Sequence, residues 1–105
     1  MNYTDEQLKR ALAKMLPDTL QLVPYGREDN LILCWNLEGL SEPVRNTELL
    51  HLCWVVEETL NNAEYGDYFE YLATSAHAIY RDSALCHATW QQRVEALAKV
   101  KGIEI

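Results

Sequence analysis

The stretch from Asn61 to Thr74, NNAEYGDYFEYLAT, sets Glu64, Asp67 and Glu70 among Tyr65, Tyr68 and Tyr71, with no Lys or Arg between them. Glu57 and Glu58 come just before it. Three kinds of chemistry suit such a set. Carboxylates act as general acids or bases once desolvation or a like-charge neighbour raises their pKa. They also meet Lys and Arg on a partner, with tyrosine beside them adding contact area at small entropic cost. The third role is passive, the solvated side of a helix, which is the commonest fate of a charge run.

Acid–base work by Glu57, Glu58 or Glu70 would need a pocket, and no pattern around them forms one, so catalysis is not the expectation. No Gly-x-Ser-x-Gly element and no Gly-rich phosphate loop occurs, and the four glycines are scattered. Cys86 and His87 are neighbours, but a nucleophile and its base must converge in space rather than in sequence. His51 and Cys53 are two apart, which on a helix points them to different faces, and nothing has zinc-ligand spacing. No metal and no cofactor is expected. Three cysteines, Cys34, Cys53 and Cys86, are an odd number between apolar neighbours and read as small buried hydrophobes in a reducing compartment.

Charge narrows the partners. The net charge of −7 argues against direct nucleic-acid binding, which draws its strength from basic side chains on phosphates. No Lys or Arg lies between Arg45 and Arg81, whereas Glu48, Glu57, Glu58, Glu64, Asp67 and Glu70 all do. Such asymmetry makes a negative field that steers a basic partner. No apolar run approaches the roughly 18 residues of a membrane span, and the acidic Asn-Tyr-Thr-Asp-Glu opening does not resemble a signal peptide. The expectation is a soluble, cytosolic protein without membrane contact.

These residues must be positioned by a single domain, since 105 residues make one core. Thr4 with Gln7 is a capping box that opens a helix carrying Leu8, Ala11, Leu12, Met15 and Leu16, and Pro17 ends it. LQLVPY and LILCWNLE flank GREDN and predict a hairpin, with Leu31, Leu33, Trp35 and Leu37 on the buried face. GLSEPVRN reads as a loop. Asn46 or Thr47 is placed to cap a helix through TELLHLCWVVEETLNN, whose stripe of Leu49, Leu52, Cys53, Val56 and Leu60, widened by Leu50 and Trp54, predicts the central helix. The acidic stretch predicts a helix that buries Tyr65, Phe69, Leu72, Ala76 and Ile79 and turns Glu64, Asp67, Glu70 and Tyr71 outward. ALCHA suggests a short strand. Thr89 with Gln92 boxes a last helix with Trp90, Val94 and Leu97 on one side, Lys99 and Lys101 near its end, and Gly102 as its stop. The class is α+β, a small antiparallel sheet with a hairpin packed by three to four helices.

The segments TELLHLCWVVEETL, YFEYLA and ATWQQRVEALAKVKG resemble the small phage proteins grouped as the phage ABA-sandwich domain. Ala88, Thr89, Gln92, Arg93, Glu95 and Ala96 stand at places that match that family's closing helix, and Trp90 replaces its usual small residue. The resemblance covers about residues 46–102. It implies a phage or prophage origin, hence the cytoplasm of a bacterial host cell, and an α-β-α sandwich, and no reaction. Independently of it, Glu95 can pair with Lys99 at i,i+4, and Arg93 is available to an acidic neighbour such as Glu57 as a tie between two helices.

The expected function is binding of a protein with a basic surface. Glu57, Glu58, Glu64, Asp67 and Glu70 would supply the charge, and Tyr65, Tyr68 and Tyr71 the contact. In the sharper form the carboxylates stand in for phosphates and block a nucleic-acid groove of a host defence complex, as an anti-CRISPR protein would. The alternatives are an assembly protein that dimerises through Trp54 and the Leu50 side of its helix, and a small enzyme with a carboxylate site.

Overall fold

The computed structural model describes residues 3–24, 31–37, 40–75 and 88–105. Among these, helix α1 (Asp5–Met15) leads into strands β1 (Leu20–Pro24), β2 (Leu31–Leu37) and β3 (Leu40–Pro43). Helices α2 (Asn46–Glu57), α3 (Asn62–Ser75) and α4 (Trp90–Lys101) follow. The class is α+β, with one antiparallel sheet in the order β1-β2-β3. No helix of the described residues is long and apolar enough to cross a membrane.

Local chemistry sets most helix ends. Thr4 Oγ1 accepts from Gln7 N at 3.2 Å while Gln7 Oε1 accepts from Thr4 N at 2.8 Å. Thr89 and Gln92 repeat the box at 3.2 and 2.9 Å. Each pair satisfies amides that the first helical turn leaves without partners. Gly102 closes α4 at φ 69°, with Ile103 N bonded to Ala98 O and Gly102 N to Lys99 O, the two bonds of a Schellman closure. The start of α2 differs from expectation. Its cap is Arg45, whose backbone N–H donates to Glu48 Oε1 at 3.0 Å, rather than Asn46 or Thr47. The helix also ends at Glu57, earlier than its apolar stripe suggests, and a short turn precedes α3.

In the sheet, Leu20 pairs with Trp35 and Leu22 with Leu33, so these four side chains share one face. Helix α1 packs across β1 and β2 on the buried residues Leu8, Ala11 and Leu12. The expected Leu/Trp face holds at Leu33 and Trp35 but not at Leu37, which is 45% exposed and outside the core cluster. Residues 40–43, expected as loop, form an edge strand on β2, where the missing amide of Pro43 is tolerated. The GREDN turn and most of ALCHA lie outside the described residues.

The central helix is α4 and not α2. It contacts α1, α2 and α3, and every residue from Arg93 to Ala98 is buried. A helix buried all round must dispose of its charges internally. This requirement builds the cluster described next.

Candidate functional site

The polar centre of the molecule joins one residue from each of three helices. Glu57 ends α2, Tyr68 lies mid-α3 and Arg93 lies near the start of α4. They are 7%, 0% and 3% exposed. The Arg93 guanidinium donates through Nη1 to Glu57 Oε1 at 2.7 Å, and the Tyr68 hydroxyl donates to the same oxygen. Arg93 Nε also donates to Ala88 O at 3.3 Å, at the mouth of the helix it belongs to. The predicted tie between Arg93 and Glu57 is therefore present, and tyrosine completes it. No buried side-chain nitrogen or oxygen among the described residues lacks a hydrogen-bond partner. Packed against the apolar core, the cluster does what such networks do when complete: it fixes how three helices meet.

The surroundings show in the titration of the neighbours. Burial raises the Tyr68 phenol, and the hydrogen bond to Glu57 adds to it, so Tyr68 stays a donor. Burial pushes the Cys53 thiol up to about 12, with the charge of Glu57, one turn further along α2, acting in the same direction. Cys53 Sγ lies 3.8 Å from Trp90 O and packs in the core as a small apolar group. For Arg93, burial alone would lower the pKa. The hydrogen bond to Glu57 and the neighbouring Tyr68 and Glu57 outweigh it, leaving Arg93 raised.

Two of the expected partner-binding residues are thereby corrected. Tyr68 is fully buried and Glu57 only 7% exposed, where an outward face was expected for both. A helix turns about 100° per residue, so Tyr68 falls beside Leu72 on the face that α3 packs against α4. Glu57 is drawn inward because Arg93 is buried opposite it. Glu64 is half-buried and caps α3: its Oε1 accepts from Asn61 N at 3.0 Å while Asn61 Oδ1 accepts from Glu64 N at 2.8 Å. The Asn-x-x-Glu spacing of residues 61–64 carried that signal in the sequence.

The remaining residues are exposed or, for Tyr65, half-buried, and lie on two flanks. Glu58, Asp67 and Glu70 are exposed. Tyr71, 39% exposed, lies toward α4, where Lys99 Nζ sits 5.4 Å from its ring centre and 3.8 Å from Glu95 Oε1. Tyr65, on the other flank, packs edge-on against Phe69 with ring centres 4.8 Å apart. It faces a hollow of about 350 Å³ lined by Trp54, Glu57, Glu58 and Tyr65. Trp54 belongs to this hollow rather than to the core, contrary to its expected place in the stripe, and is 48% exposed.

His51 is exposed and Cys53 buried, on different faces of α2, and no group of three potential metal ligands occurs among the described residues. Cys86 and His87 lie outside them. Compared with family models, curated proteins and solved structures, the chain matches none.

Proposed function

We propose that this protein works by binding a protein with a basic surface, through the end of α2 and the outer side of α3. One observation carries the reading. Exposed Glu58, Asp67 and Glu70 lie on the end of α2 and on α3 together with the partly exposed rings Trp54, Tyr65 and Tyr71, and no Lys or Arg occurs from residue 46 to 80. The basic groups beside Tyr71 and Thr59 come from Lys99 and Lys101 of α4. Tyrosine and tryptophan contribute large contact areas, and carboxylates beside them select for Lys and Arg. The reading needs no cofactor and no reaction. With the resemblance to phage proteins, the partner class we propose is a host nucleic-acid-handling or defence protein, whose basic groove the carboxylates would occupy in place of phosphates.

The test is capture from bacterial lysate by the native chain and by a Glu58→Gln, Asp67→Asn, Glu70→Gln variant. Glu57 is left intact because its loss would disturb the core. A basic protein held by the native chain and lost by the variant is the expected result, with circular dichroism showing that both fold. Identical capture by both would refute the reading. A second reading, a homodimer joined at Trp54, is favoured by that residue's 48% exposure and is tested by sedimentation equilibrium.

A further inference from the structure

Building on the acidic-surface reading, we propose that the hollow between the end of α2 and the start of α3 receives an arginine side chain of the partner. Trp54 on α2 and Glu58, its C-cap residue, are four apart and so stand one turn apart on the same face. Tyr65 supplies a second ring and Glu57 also lines the hollow. At about 350 Å³ the space lies near the lower end of the ~300–1,000 Å³ range of ligand clefts, enough for one long side chain rather than a structured element.

The chemistry of the lining selects the occupant. Both hydrogen bonds to the Glu57 carboxylate end on Oε1. Oε2 takes neither of these bonds, and Glu57 is among the residues that line the hollow. Tyr68 and Arg93 hold this acceptor in place before anything binds, which lowers the ordering cost of binding. Arg93 offsets the charge of Glu57, so Glu58 supplies the net attraction and Oε2 the directed hydrogen bond. Rings beside carboxylates suit a planar guanidinium, which stacks on an aromatic face and forks its N–H groups to acceptors. A lysine ammonium feels the same charge but is a more strongly hydrated point donor. His51 meets Trp54 edge-on, with ring centres 6.3 Å apart.

End-capped tetra-arginine and tetra-lysine peptides, titrated by calorimetry at low salt, test this directly. The arginine peptide is expected to bind the native chain more tightly. Trp54→Ala should weaken it by about two- to five-fold, the range of an exposed cation–π contact, and bring the two peptides close to parity. Asp67→Asn with Glu70→Gln, outside the hollow, should weaken both peptides alike. If Trp54→Ala and Trp54→Leu leave the arginine preference intact while the triple charge variant abolishes binding, the acidic surface stands and the arginine site is overturned. If neither peptide binds the native chain, both readings fail together. If Trp54→Ala instead converts a dimer into a monomer, a second copy covers the hollow and the arginine site is again overturned.

Discussion

Breaking the Arg93–Glu57 pair from either side should cost far more than removing both members. Glu57→Gln keeps the shape and an acceptor for Tyr68 but removes the negative charge opposite a guanidinium that is 3% exposed. Arg93→Met strands the carboxylate. Removing one partner of a buried ion pair typically costs about 3–5 kcal/mol, against a total stability of about 5–15 kcal/mol for a domain. Arg93 also donates to Ala88 O, and the amide oxygen introduced by Glu57→Gln would still accept from Tyr68. That substitution therefore belongs near the lower end, at about 3 kcal/mol. Glu57→Leu removes the acceptor of Tyr68 as well and belongs near the upper end, at about 5 kcal/mol. The double variant Glu57→Leu, Arg93→Met replaces the pair by apolar groups, which is often neutral for the pair itself, and leaves the cost of the Tyr68 hydroxyl without its acceptor, about 1–3 kcal/mol. Urea unfolding of the native chain, the singles Glu57→Leu and Arg93→Met, and the double variant gives the cycle. The expected coupling is at least about 2 kcal/mol in favour of the pair, seen as a double variant more stable than either single one. Additive losses, or a Glu57→Gln cost below about 1 kcal/mol, would refute the claim that this contact holds α2 to α4.

Two glycines should respond with opposite signs. Gly66 lies inside α3 with nothing within 4 Å of an added Cβ, so Gly66→Ala should stabilise by about 0.5–1 kcal/mol through helix propensity. Gly102 has equal space but sits at φ 69°, so Gly102→Ala should destabilise by about 1 kcal/mol; thermal melts that shift both the same way would contradict this. Alkali should act through the core thiol. Because the folded pKa of Cys53, about 12, lies above its ordinary 9.0, its contribution is intact below pH 9 and is lost as pH rises toward 12. Buried Cys34, raised in the same direction, begins to act above the same ordinary value, and Tyr68 adds a loss above its ordinary 10. Cys53→Ala should therefore flatten the fall of the urea midpoint between pH 9 and 12, and an unchanged slope would show that the thiol is not linked to folding.

Local sequence was enough wherever the deciding atoms are a few residues apart. The boxes at Thr4–Gln7 and Thr89–Gln92, the left-handed stop at Gly102 and the i,i+4 pair Glu95–Lys99 all lie within a turn or so of helix, and all appear in the fold. The apolar stripe of α2 could be read for the same reason, since Leu49, Leu52, Cys53 and Val56 repeat at helical period. The pairing of Arg93 with Glu57, 36 residues apart, is one the sequence offers only as an available partner, an Arg on the closing helix and a Glu near the end of an apolar one.

What tertiary structure decided is which face each helix buries. Tyr65, Tyr68 and Tyr71 share a spacing of three, and by composition any of them suits a wet surface. The packing of α3 on α4 put Tyr68 inside, left Tyr65 half-buried and left Tyr71 out under Lys99. Glu57 and Glu58 are adjacent carboxylates with the same local preferences, yet one is buried and the other exposed, because only one of them points at Arg93. Edge strand β3 has turn-like composition, and β2 supplies the hydrogen bonds that make it a strand. Periodicity determines that a helix has faces, while the energy that chooses between two comparable faces comes from partners distant in the chain.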